Sequence, residues 1–332
     1  MSSKLEKKDR ISPYLRKYLD SFVFDCLNPS VFQRKPELAF MKDVPIPFRR
    51  ENLELVLTGK ELDFRQLGEN MIWVIGCDPD FPYVESYCSW LRHHYGTRAG
   101  EMLLQQSDHE VEKGNGESAM VCLRAALVLD PENKTALYNY GLFCTQCYQS
   151  SDDEEYIGRF KAESLESFEK LSDLDPGFAP AYYYLGYHYI NMGLYTKAGL
   201  TWKRFLELSD NEEEIEEIQE RMDQLLAPME IERGCNAIMT NRWQEGLQIL
   251  EPFTDGEFGK WWPLHYYIGT AFSRLGKTSE AEESFMKALA LNPSHTDSME
   301  ELAAIYDFRG DDEKAAKYRR KAEMLMKGED QF

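Results

Sequence analysis

The sequence predicts an all-α fold, a solenoid of antiparallel helix pairs preceded by an N-terminal helical cap region. Three observations carry that prediction: a 34-residue recurrence of small, large and turn-forming residues; apolar spacings of three and four within each half-repeat; and glycines and prolines where helices must end. A chain of 332 residues, 43% hydrophobic and 29% charged, can bury such a core.

The recurrence is plainest near the C-terminus. Positions 262–295 contain Ile268-Gly269, Phe272, Gly276, Ala281, Phe285, Ala288, Leu291 and Pro293. The stretch from Thr296 repeats the scheme with Leu302-Ala303, Tyr306, Gly310, Ala315 and Ala322. The stretch from Ala179 does so with Tyr182, Leu185-Gly186, Tyr189, Gly193, Ala198, Trp202 and Phe205. Small residues at the eighth and twentieth positions let two helices approach closely, and large residues at positions 4, 7, 11 and 24 fill the space left. Gly193, Gly276 and Gly310 fall where the first helix ends. Pro131, Pro176 and Pro293 follow the second helix and stop it.

These positions resemble the tetratricopeptide repeat family. Three further units are degenerate. The one from Gly100 keeps Gly114, Ala119, Leu123 and Ala126 but places Gln106, Ser107 and Glu110 at core positions. The one from Lys134 keeps Leu137, Tyr140-Gly141 and Cys144, then exceeds the standard spacing by about 11 residues, so 148–158 is an inserted loop or a lengthened helix. The one near Ala227 keeps Gly234, Ala237, Gly246 and Leu250 but has Glu230 and Arg233 where apolar residues belong. That makes six units over 100–332. Residues 210–226 fit none of them; Ile215, Ile218, Met222 and Leu225 predict an additional amphipathic helix with an acidic outer face.

Residues 1–99 lack the signature and are expected to form a helical cap or accessory region, since a terminal repeat would otherwise expose its stacking face. Ser12-Pro13 and the following YLRKYLDSFVFDCL read as one helix. Pro29, Pro36, Pro45 and Pro47 punctuate an irregular stretch, after which Glu51–Leu57, Leu62–Ile75 and Phe81–Tyr95 read as helical.

The net charge of -20 argues against general nucleic-acid binding, which needs a basic surface. Residues 1–50 hold 11 Lys/Arg against 6 Asp/Glu, a net of +5 that leaves -25 for the rest. The polar N-terminus has no apolar leader segment, and no run approaches a membrane span; the longest apolar run is Met71–Gly76. Seven unpaired-looking cysteines fit reduced thiols in a cytoplasmic setting.

No enzymatic constellation emerges, and no cofactor or metal site is expected. Cys144 and Cys147 form a CxxC inside a helix, with Cys144 at a core position. His93-His94 lack the i, i+4 spacing of a helical metal pair, His265 takes a packed repeat position, and Asp78-Pro79-Asp80 reads as a helix-capping turn.

In the resembled family, positions 2, 5, 6, 9, 12 and 13 of each unit line a concave groove. Carried onto this chain they give Tyr138, Asn139 and Leu142; Tyr183, Tyr184, Tyr187 and Asn191; Ile231, Glu232 and Cys235; and Tyr266, Tyr267, Thr270 and Arg274. The resemblance implies a scaffold or adaptor that binds a protein or peptide segment there. The family's carboxylate clamp for chaperone tails is not expected, because only Asn139 matches it while Pro180 and Tyr184 stand where other clamp residues belong. A tyrosine-rich wall suits apolar or proline-rich segments, although any one tyrosine also serves to pack neighbouring repeats. Two alternatives share the sequence features: a client-binding chaperone of the acidic repeat type, and a ligand-sensing regulator acting through residues 1–99. Trp243, Trp261 and Trp262 cluster near a degenerate unit, either as a self-association face or as junction filler.

Overall fold

The computed structural model describes residues 9–50 and 63–327, which divide into two compact units, Met1–His188 and Tyr189–Phe332. The helix expected over Glu51–Leu57 lies outside the described residues.

The first unit opens with a single turn, α1 (Ser12–Leu15), which carries Pro13 where a missing N–H costs nothing. The expected continuation of this helix is corrected. A 3₁₀ segment, Arg16–Ser21, leads into β1 (Phe22–Asp25), which pairs antiparallel with β2 (Ile46–Arg49), Phe22 opposite Arg49 and Asp25 opposite Ile46. Long-range packing is the reason. The buried Phe22 ring lies under the Arg49 guanidinium at 5.3 Å, and Phe24 stacks on Phe81 at 5.2 Å. Such contacts favour aromatic residues in an extended chain over a local helical preference. The carbonyls of Pro45 and Pro47 accept hydrogen bonds from the Tyr87 hydroxyl (2.5 Å) and the Asn70 amide (3.0 Å), so the ribbon's backbone stays satisfied.

Between the strands lie α2 (Pro29–Arg34), capped by Asn28, and the 3₁₀ segment Pro36–Met41. The expected hairpin follows as α3 (Phe64–Cys77) and α4 (Val84–Tyr95). Leu38, Met41, Ile46, Met71, Trp90 and Leu91 share one core with Leu103, Ala125 and Ala126 of the helix pair α5 (Ala99–Glu112) and α6 (Gly116–Leu129). The next pair is α7 (Lys134–Gln149) and α8 (Glu154–Leu174). The extra residues near 148–158 lengthen both helices at their adjoining ends and leave a short link at 150–153. The unit boundary falls within α9 (Ala179–Asn191).

In the second unit, α9 is followed by α10 (Tyr195–Leu208), α11 (Glu212–Met239) and α12 (Trp243–Leu250). Then come α13 (Trp262–Arg274), α14 (Thr278–Leu291), α15 (Thr296–Phe308) and α16 (Asp312–Met326). The separate helix expected over 210–226 is corrected to the first half of α11, which runs through Pro228 into the degenerate repeat. Ile218, Leu225 and Ile231 are buried along it, and this continuous stripe outweighs the one hydrogen bond Pro228 cannot make.

Turn chemistry repeats from pair to pair. Gly114, Gly193, Gly276 and Gly310 all sit at φ of 72 to 76° between the two helices of a pair. Each donates its N–H to the carbonyl three residues back, and the next residue donates to the carbonyl five residues before it, as Leu194 does to Tyr189. In the degenerate unit Asn241, at φ 63°, takes this place with the same two bonds, the role asparagine fills best after glycine.

The small eighth position is equally physical. A Cβ on Gly141 or on Gly269 would come within 2.8 Å of the Phe168 or Phe285 ring respectively. Gly269→Val is therefore expected to lower stability by about 1–3 kcal/mol through overpacking, read as a lower urea midpoint at an unchanged slope. Among the described residues, no helix is long and apolar enough to cross a membrane.

Candidate partner-binding groove

The second unit holds a groove of about 830 Å³. Its floor is one face of α11, where Pro228, Ile231, Glu232, Cys235, Asn236 and Met239 recur at the three- and four-residue steps of a helical stripe. Tyr266 and Tyr267 of α13 also line it, as do Gly193 and Tyr195 and, at the start of α15, His295 and Asp297.

The remaining lining comes from the link between α12 and α13, through Glu257, Phe258, Lys260 and Trp261, and from Trp262 and Pro263 at the start of α13. Two 3₁₀ turns, Glu251–Phe253 and Glu257–Lys260, fold this link tightly enough that a Cβ on Gly259 would lie 2.1 Å from the Thr254 carbonyl oxygen. The buried His265 ring clasps it from below, with Nε2 2.7 Å from the Gly259 carbonyl; since that oxygen only accepts, Nε2 carries the proton. The clasp presents Phe258, Trp261, Trp262 and Pro263 to the groove, and Trp261 remains 41% exposed.

Trp262 and Tyr266 pack on the His295 ring at 4.1 and 4.8 Å, and the Tyr267 hydroxyl points at the Met239 sulfur, 3.7 Å away. His295 Nδ1 accepts the Ser298 N–H and caps α15. Burial lowers the His295 pKa, with Asp297 opposing, which favours the neutral ring that this cap needs. Glu232 accepts the Thr196 N–H (2.7 Å) at the start of α10. Burial, helped by Glu232, pushes the Cys235 thiol up to about 12, which leaves it a packed apolar group and not a nucleophile.

Of the residues expected to line a groove, Ile231, Glu232, Cys235, Tyr266 and Tyr267 are brought together here. Thr270 back-bonds to the Tyr266 carbonyl (2.9 Å), Arg274 lies 3.7 Å from Glu301, and Asn191 is exposed on α9. The others belong to the first unit. There Tyr184 stacks on Phe168 at 4.8 Å, Tyr138 packs edge-on to Phe178 at 5.2 Å, and Tyr183 lies 5.3 Å from Tyr187. Asn139 and Leu142 are half-buried on α7. Tyr138 and Tyr184 thus serve repeat packing around Phe168.

The tryptophan trio divides: Trp261 and Trp262 line the groove, whereas Trp243 packs onto the core of Ile231, Leu247 and Leu264. A second hollow of about 490 Å³ in the first unit is lined by Arg65 paired with Glu69, by Glu110 held by Lys113 and Asn115, and by Arg49, which lies over the Phe22 and Trp73 rings. Among the described residues no three His, Cys, Asp or Glu side chains gather as metal ligands would.

A family model for the tetratricopeptide repeat matches residues 263–295, the helix pair α13/α14. A model described as regulator of microtubule dynamics protein 1-3 matches residues 114–230. Tetratricopeptide repeat protein 37 of Xenopus laevis is 27% identical over 197 residues, covering 59% of this chain and 11% of that protein, so the chain spans about a tenth of that relative's length. Among solved structures, a crystal structure of MamA protein is 18% identical over 71% of this chain and 98% of its own, with a TM-score of 0.29. MamA of Desulfovibrio magneticus RS-1 is 17% identical over 60% of this chain and 98% of its own, with a TM-score of 0.30.

Repeating helix pairs with glycine turns are the architecture of this chain, and the pair α13/α14 is the one that the tetratricopeptide repeat model matches.

Proposed function

We propose that the chain is an adaptor that holds a segment of a partner protein in the groove of its second unit, with Trp261, Tyr266 and Tyr267 as the gripping surface. The observation that carries this reading is the aromatic lining of an 830 Å³ groove by two helices and a clasped loop. Aromatic side chains offer large, stiff contact area at small entropic cost, which is why they dominate binding hot spots. The segment it suits has apolar side chains that reach the Ile231–Met239 floor. Tyr183 and Tyr187 in the first unit offer a further contact patch. A cytoplasmic setting suits this role, as do the thiols, every described one of which is free.

Affinity capture from the native cell with the full chain, compared with Trp261→Ala/Tyr267→Ala, tests it. The double variant is expected to reduce recovery of the specific partner at least tenfold while its circular dichroism stays unchanged. Equal recovery by a folded variant removes the groove from consideration. A matching loss with Tyr183→Ala/Tyr187→Ala extends the contact to the first unit.

A further inference from the structure

Resting on the groove reading, we infer that this groove selects a segment carrying a cationic side chain, arginine above all, between its apolar anchors. The lining contains three carboxylates, Glu232, Glu257 and Asp297, against one ammonium, Lys260. They rim a site that also presents Tyr195, Phe258, Trp261, Trp262, Tyr266 and Tyr267. An aromatic face attracts a cation through its quadrupole, and a neighbouring carboxylate adds a charge-assisted hydrogen bond. A guanidinium satisfies both at once, because its flat face stacks on an indole while its edge pairs with an acid. The 41% exposure of Trp261 leaves ring surface available for such stacking.

The wider field points the same way. The chain as a whole carries a net charge of -20, so an approaching basic segment is steered inward and an acidic one is turned away. The one imidazole in the lining, His295, has its pKa lowered by burial and its Nδ1 occupied in capping α15, so it adds no positive charge at neutral pH.

A random nonapeptide phage library selected on the full chain at physiological salt provides the test. Peptides eluted by competition but absent from a parallel selection on Trp261→Ala are expected to be enriched at least tenfold in Arg and Lys over Asp and Glu. The triple variant Glu232→Gln/Glu257→Gln/Asp297→Asn keeps the shape and the acceptor for Thr196, and is expected to select apolar peptides without that cationic bias. Trp261-dependent peptides with no basic enrichment, or with acidic enrichment, overturn the cationic specificity and leave the groove standing. No Trp261-dependent peptide at all overturns both.

Discussion

Replacing Arg124 by methionine is expected to destabilise the first unit by about 3–5 kcal/mol, the cost of breaking a buried ionic cluster from one side. Arg124 is 6% exposed and donates to four groups: the Gly76 carbonyl through Nε (2.6 Å), the Tyr140 hydroxyl through Nη1 (3.3 Å), and Asp9 Oδ2 (2.7 Å) and Ser12 Oγ (3.3 Å) through Nη2. Asp9 in turn accepts the N–H groups of Ile11 and Ser12. Burial alone would raise the Asp9 pKa, but Arg124 and these N–H groups reverse the sign and hold it below the usual carboxylate range. One guanidinium therefore fastens the N-terminal segment, α3 and α7 to α6. Methionine fills similar space but leaves a carboxylate, two hydroxyls and a carbonyl without the guanidinium donor. Urea unfolding is the measurement, and adding Asp9→Leu to Arg124→Met is expected to recover part of the loss. A shift below about 1 kcal/mol would contradict the clustered reading.

The repeat was legible because its rules are local. A left-handed glycine at Gly193, Gly276 or Gly310, and a small residue opposite a ring as at Gly269 and Phe285, each leave a mark within one unit of sequence. Two errors arose where distant contacts outvoted local pattern. Phe22 and Phe24 lie within a helical-looking stretch, and only Arg49 and Phe81, far along the chain, draw them into a strand. Residues 210–226 and the unit near Ala227 read as separate because their local patterns differ, yet the buried stripe through Leu225 and Ile231 carries α11 across the join.

The candidate site was legible by half. Ile231, Glu232, Cys235, Tyr266 and Tyr267 stand on helices whose repeat register fixes the faces they present. Phe258 was missed, and Trp261 and Trp262 were read as a self-association face or junction filler, because a link between repeats has no register to read; its shape depends on the His265 clasp and the packing at Gly259. The available signal was an unusually long inter-repeat link containing paired tryptophans. Arg124 was missed for the opposite reason: a lone arginine within the apolar run Ala119–Leu129 suggests a solvent-facing turn of helix until its partners at Asp9 and Gly76 are known.

Acid is expected to weaken the first unit through one histidine. Thr145 donates its hydroxyl proton to the Gly141 carbonyl (2.9 Å), so Ser164 must donate to Thr145 (2.8 Å). The Ser164 oxygen then receives its proton from Nε2 of His188 (2.9 Å). Ser164 is fully buried and His188 is 2% exposed, among the Phe168 and Tyr148 rings. Burial, and secondarily the charge of Lys161, brings the His188 pKa down to about 4. An unfolded histidine titrates near 6.5, so between about pH 6.5 and 4 the unfolded chain binds a proton that the folded chain refuses. Stability from this group is complete above pH 6.5 and is lost as pH falls through that window, at up to about 1.4 kcal/mol per pH unit and roughly 3 kcal/mol in all. His188→Gln keeps an N–H donor for Ser164 but cannot titrate. It is expected to be about 1 kcal/mol less stable at pH 7, yet to lose far less than the natural chain between pH 7 and 4.5, so that the two stability curves converge or cross. Asp9 is common to both proteins and its linkage falls below about pH 4, outside the window. Urea midpoints at four pH values decide the matter: parallel curves would mean that His188 takes up its proton in the folded state as readily as in the unfolded one, and that its burial does not govern the acid sensitivity of the fold.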